Sequence, residues 1–227
     1  MGRVIILPET IKYPITLMGR RSGVCYGSDI TDDTKNYKRG MSCIKSNHGR
    51  IFEYINVEMI IDGYSAKTIR EYYTHIGGSP TRTQESTRYI DYSKGDGFKY
   101  VTPKTIMNSN ADETWRSIMK DINDTIFYFI NTCNIPVEDA TMLLPLAYAT
   151  KIVDKRNLRN LIDMSRVRTC NRAYHEYREL FKDISNALRE YSDEWKWIVD
   201  NLFHPKCEEY GYCTETKSCG RKPKKEN

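Results

Sequence analysis

The stretch from Asn110 to Cys133 constrains the fold most. Trp115, Ile118, Met119, Ile122, Ile126, Phe129 and Ile130 recur at helical spacing and draw one apolar stripe along a long helix. Asn110-Ala-Asp-Glu113 has the pattern of a capping box at its start. A stripe of that length needs a second layer to bury it. The second layer has a different period: within Arg50 to Asp62, Ile55, Val57, Met59 and Ile61 alternate with Asn56, Glu58 and Ile60, which reads as a central strand. Together they predict an α+β fold, a mixed or antiparallel sheet packed with helices. A chain of 227 residues can bury one sizeable core, so one domain is expected over residues 1–203. The remainder, 204–227, reads as a tail rich in cysteine and basic residues.

Other segments are read more coarsely. Val4 to Leu7 and Ile11 to Leu17 suggest strands, pushed toward a sheet edge by Pro8 and Pro14. Gly19 to Gly40 is polar and is expected to be irregular. Tyr64 to Tyr73 reads as a short helix stopped by Gly77-Gly78. Pro136 is expected to open a short helix through Leu144. Asn157 to Arg168, NLRNLIDMSRVR, reads as a helix on which Arg159 and Asp163 make an i, i+4 pair. Asn171 to Phe203 continues as one or two helices, restarted at Ser192.

The composition narrows the class. Hydrophobic residues at 39% and charged residues at 29% exclude wholesale disorder, and no apolar run approaches the length that crosses a bilayer. The apolar run in MGRVIILPET is too short for a secretory signal, and seven cysteines without an export signal suggest a reducing, cytoplasmic setting. A net charge of +5 favours anionic partners but suits nucleotides, folate tails and nucleic acid equally. No G-x-G-x-x-G fingerprint, G-x-x-x-x-G-K-[ST] loop, H-E-x-x-H pair or G-x-S-x-G elbow is found in the chain.

Chemistry concentrates in Ile69 to Tyr89, IREYYTHIGGSPTRTQESTRY. Its glycines and Pro80 let the backbone approach a ligand, and Arg82 and Arg88 offer planar forks suited to a phosphate or a pyrimidine carbonyl edge. If the segment after the turn is extended, Gln84, Ser86 and Arg88 share one face.

THIGGSPTRTQESTRY resembles the signature of flavin-dependent thymidylate synthases, and NLRNLIDMSRVR resembles a second segment of that family. The likeness covers most of Arg50 to Arg178, and more weakly Cys25 to Ser28, but not the cysteine tail. It implies that His48, Glu53, Thr74, His75, Ile76, Asn157, Arg159 and Asp163 meet FAD. By the same likeness Arg82, Gln84, Ser86, Thr87, Arg88 and Arg168 hold dUMP, with Arg168 at the uracil ring as the catalytic residue. The chain departs from the family pattern where arginines are usual: Thr74 and Ile76 flank His75, and Thr141 stands four positions before a Leu-Pro step. Arg82 is the residue expected to supply the displaced charge.

The family's reaction is reductive methylation of dUMP to dTMP. Methylenetetrahydrofolate is the carbon donor, and NADPH reduces the FAD. The family works as a homotetramer with active sites at subunit interfaces, without a membrane and without a specific nucleic-acid partner. Two other readings stay open: a basic nucleic-acid binding protein, suggested by 17 tyrosines and the RKPKK end, and an FAD enzyme of this fold with another pyrimidine substrate. In the tail, His204, Cys207, Cys213 and Cys219 make a chemically sensible zinc ligand set. Their spacing is not that of paired C-x-x-C knuckles, so free thiols remain the alternative.

Overall fold

Residues 2–225 are described by a computed structural model. In chain order the elements are β1 (Arg3–Ile6), α1 (Pro14–Cys25), α2 (Asp33–Lys45), a 3-10 turn (Gly49–Tyr54), β2 (Asn56–Ser65), α3 (Ala66–Tyr72) and β3 (Thr81–Gln84). There follow α4 (Lys104–Met107), α5 (Asp112–Asn131), α6 (Val137–Ala140), β4 (Ala149–Asn157), α7 (Leu158–Arg168), α8 (His175–Tyr191), α9 (Asp193–Leu202) and α10 (Lys206–Tyr210). The α+β expectation holds: the strands form one sheet in the order β1-β2-β4-β3. Its register is antiparallel along β2. The Leu7 N–H donates to the Glu58 carbonyl while Arg3 pairs with Asp62, and the Ala66 N–H donates to the Tyr148 carbonyl while Leu158 donates to Ile55.

The chain divides into two compact units. The first holds the residues up to Arg3, Ile61–Thr74 and Thr83–Val153. Its core is Phe98, Met119, Ile126 and Tyr148, packed by Trp115, Ile122 and Ile130, so the stripe of α5 lies where its period predicts. Ile118 is half exposed instead, as are Phe127 and Tyr128. The expected capping box is absent, because α5 starts at Asp112 after Ala111, which is already helical and offers no side-chain cap. Asp112 and Glu113 complement the helix dipole in its place.

The second unit holds Val4–Ile60, His75–Arg82 and the chain from Asp154 onward. Here no strand forms at Ile11–Leu17, and the chain is helical from Pro14 on. Pro14 occupies the first turn of that helix, and the Glu194 carboxylate accepts the N–H groups of Ile15 at 2.6 Å and Thr16 at 3.1 Å. The expected irregular stretch Gly19–Gly40 is largely α1 and α2. A Cβ on Gly19 would collide with the Asn36 backbone, and one on Gly40 with the Ile15 carbonyl, so these glycines let two helices cross at backbone contact. The first third of the expected strand at Arg50–Asp62 is the 3-10 turn, and the strand runs on to Ser65. On α8, Tyr177, Leu180, Phe181, Ile184 and Leu188 are buried, as are Trp195, Ile198 and Val199 on α9. Ser192 caps α9 by accepting the Trp195 N–H, as its position predicted.

Candidate active site

In the second unit the site grows from the end of β4. Thr150, Ile152, Asp154 and Arg156 occupy the buried face of that strand, and Asp154 and Arg156 are fully buried. The two make a bidentate pair, with Arg156 Nε and Nη2 donating to Asp154 at 2.5 and 2.8 Å. Arg156 Nη1 also donates to Asn160 Oδ1 at 2.6 Å. Asn157 then caps α7, its Oδ1 accepting the Asn160 N–H at 2.9 Å. The side-chain amide of Asn157 lies against Gly78, whose φ of +72° suits glycine and where a Cβ would collide with that amide. The glycine turn is therefore seated on the start of α7.

At the other end of α7, Arg168 Nε donates to His75 Nε2 at 3.0 Å, and the guanidinium carbon lies 4.4 Å from the centre of the Tyr177 ring. Burial, then the positive charges of Arg168 and Arg156, push the His75 imidazole down to about 4. His75 is thus neutral near pH 7, with Nε2 as acceptor and the proton assigned to Nδ1. A neutral acceptor and an aromatic face thus help to hold this guanidinium in place.

Asn157 caps α7, and Arg159 and Asp163 lie on it, but the expected Arg159–Asp163 pair does not form. Arg159 donates to Glu53 at 2.7 Å, and Asp163 accepts from Arg166 at 3.2 Å. Arg159 reaches a turn far along the chain, and Asp163 finds a nearer partner one turn on. His48 is exposed at the start of that same 3-10 turn. Ile76 is 69% exposed beside the glycines, and Arg82 lies on β3, half-buried.

In the first unit, β3 ends at Gln84, and Ser86, Thr87 and Arg88 lie outside the strand. The expected common face of Gln84, Ser86 and Arg88 is therefore replaced by a turn, in which the Ser86 hydroxyl accepts the Arg88 N–H at 3.2 Å. Gln84 donates to Thr150 Oγ1 at 3.2 Å, at the end of a hydroxyl chain through Tyr148 and Tyr92. Arg88 donates to Glu138 at 3.1 Å with both side chains largely in water, and the Thr141 hydroxyl supports the turn from behind by donating to the Thr87 carbonyl at 3.0 Å. Thr141 thus buttresses a backbone where the family has a charge. Thr74, also in this unit, is exposed and turns its hydroxyl onto the Glu71 carbonyl.

Asp154, Arg156, Asn160 and Tyr177 were missed by sequence reasoning. Arg156 and Asp154 disguised β4, because charged residues on the buried face break the apolar alternation that marks a strand. In the tail, Cys207, Cys213 and Cys219 line one cleft together with Cys170, whereas His204 is not part of its wall. No group of three or more His, Cys, Asp or Glu side chains among the described residues is placed to hold a metal ion. The cysteines are free thiols.

Comparison with known proteins gives the family and the fold. Residues 11–192 match the family described as thymidylate synthase complementing protein. A flavin-dependent thymidylate synthase of Nitratidesulfovibrio vulgaris is 30% identical, over 97% of this chain and 95% of its own length. That of Pyrococcus furiosus is also 30% identical, over 74% of this chain and 68% of its own. The crystal structure of thymidylate synthase X from Helicobacter pylori with FAD and dUMP has the same fold, with a TM-score of 0.68 at 17% identity over 89% of this chain and 99% of that one. The chain belongs to the family of flavin-dependent thymidylate synthases.

Proposed function

We propose that this protein is an FAD-dependent methyltransferase that converts dUMP to dTMP, with methylenetetrahydrofolate as carbon donor and NADPH as reductant. The observation that carries this reading is Arg168, bonded through Nε to neutral His75 and lying over the Tyr177 ring. Uracil C5 attacks an electrophilic carbon only as negative charge grows on the ring, and a guanidinium already oriented at a ring carbonyl stabilises that charge without reorganising.

The donor set of the second unit fits an anionic flavin dinucleotide. Around the glycine turn stand an arginine, two asparagines and an uncharged imidazole, with Glu53 already paired to Arg159. His48, His75, Ile76, Asn157, Arg159 and Asp163 are assigned to FAD there, and Thr74 to its approach. Bound FAD supplies the reducing equivalents drawn from NADPH. In the first unit Arg88 is assigned the dUMP phosphate, with Ser86, Thr87 and Gln84 as neutral partners; Arg82, which belongs to the second unit, is assigned to dUMP as a further cation. Ser86 has no base beside it among its hydrogen bonds, so its role is binding rather than nucleophilic attack.

A homotetramer is inferred as the working form, supported by the outward Ile118, Phe127 and Tyr128 of α5, and the charged substrates point to the cytoplasm. No helix of the described residues is long and apolar enough to cross a membrane. The deciding experiment is tritium release from 5-labelled dUMP in the presence of NADPH and methylenetetrahydrofolate. Release that depends on all three, from a yellow protein absorbing near roughly 450 nm, is expected. A yellow protein that oxidises NADPH but releases no tritium would instead favour another pyrimidine substrate.

A further inference from the structure

The tail of the second unit folds back on the end of α7 and encloses a cavity of about 290 Å³. Arg166, Arg168, Arg172, Lys206, Arg221 and Lys222 line it, against one carboxylate, Glu215. Some of that charge is already matched: Arg166 bonds Asp163 and Glu209, and Lys222 bonds Glu208. The rest is not. Arg172 donates to the Lys217 carbonyl and Arg221 to the Thr169 carbonyl and the Asn171 amide oxygen, contacts that orient a guanidinium without neutralising it. Among the described residues Arg172, Arg221 and Lys206 have no carboxylate partner, and Arg166 Nε is buried with no acceptor.

We propose that this cleft binds the glutamyl carboxylates of the folate carbon donor. The inference rests on the reading of the protein as a folate-using methyltransferase, and it assigns a place to a part of the substrate that takes no share in the chemistry. Arg168 borders the cleft, and Arg168 is the residue assigned to the uracil ring, so a donor delivering its carbon there can trail an anionic chain among these cations. Unmatched charges spread over a cavity of this size suit several carboxylates on a flexible chain better than one compact phosphate. Four thiols share the wall, and Cys219 is exposed, with a backbone N–H of Arg221 lowering its pKa, so occupancy can be read by alkylation.

The test compares folic acid with one and with five glutamates on the flavin-loaded protein. The pentaglutamate is expected to bind at least about tenfold tighter, the least that charge-assisted bonds confer. It should also slow iodoacetamide labelling of Cys219, which folic acid itself should not. In Arg172→Glu/Lys206→Glu, both surface positions, the preference should vanish while folic acid binding is kept. Equal affinity for the two folates, a preference that survives in the double variant, or protection of Cys219 by NADPH and not by pentaglutamate each overturns the proposal. Glutamate preference without tritium release would sink the methyltransferase reading and leave the cleft an anion site. Tritium release without that preference would do the reverse.

Discussion

Asp154–Arg156 and Glu138–Arg88 are both arginine–carboxylate pairs, and they sit in opposite solvents. The first is fully buried on both sides, whereas in the second the side chains are 66% and 54% exposed. A buried charge that loses its partner has no water to turn to, so Arg156 is committed to holding Asp154 and Asn160 and through them the start of α7. An exposed pair is worth little by itself, so Arg88 can leave Glu138 for a phosphate at small cost. One arginine is scaffold and the other is available. Arg168 lies between these extremes, half-buried and oriented by the His75 imidazole and the Tyr177 ring.

The largest effect is expected at the buried pair. Arg156→Met should lower the free energy of unfolding by about 3–5 kcal/mol in denaturant titration, because it strands the Asp154 carboxylate, whereas Arg156→Met with Asp154→Leu should recover much of that loss. A single variant as stable as the parent would break the contrast. Next, Arg168→Ala should cut kcat for tritium release by about 10²–10³-fold, the scale of losing one preorganised charge-stabilising group, while the unfolding midpoint moves far less than for Arg156→Met. A collapse of stability instead would move Arg168 to the scaffold class.

Arg88→Ala should weaken dUMP binding by about 1.5–3 kcal/mol, seen as a raised KM, with unfolding free energy changed by no more than about 1 kcal/mol. An unaltered KM would mean that the exposed pair serves something other than substrate. The smallest effect concerns protons. Because His75 is held down to about 4 in the fold, the unfolded chain takes up a proton first as pH falls from about 6.5, the usual imidazole value. Its contribution to stability is therefore complete above about 6.5 and is lost as pH drops toward 4. Proton NMR should show the His75 ring titrating near 4, and His75→Gln should flatten the acid limb of stability. A midpoint near the usual imidazole value would remove the neutral acceptor from Arg168.

What could be read from the sequence follows the range of the interactions. The stripe of α5, the alternation of β2 from Ile55 to Ile61, the cap at Ser192 and the helix that Asn157 opens are written in neighbours a few residues apart, and they appear where expected. The signature also identified the family, because it quotes residue types at fixed spacing in short runs. The misreadings fall where a distant residue decides. Pro14 looked like a strand breaker until Glu194, remote in the chain, supplied the cap that makes it a helix start. Polar, glycine-rich Gly19–Gly40 looked irregular because the benefit of Gly19 and Gly40 exists only when two helices touch. In β4, two charges hid the strand until folding showed that they satisfy each other.

By itself, then, the sequence determined that this is an α+β member of the family of flavin-dependent thymidylate synthases. Only the tertiary structure decided that His75 is neutral, that Arg168 lies between it and Tyr177, and that Cys170 joins the tail cysteines in one basic cleft. The physical reason is that propensity and periodicity are properties of adjacent residues. Burial, charge compensation and hydrogen-bond partners are properties of residues brought together from far apart.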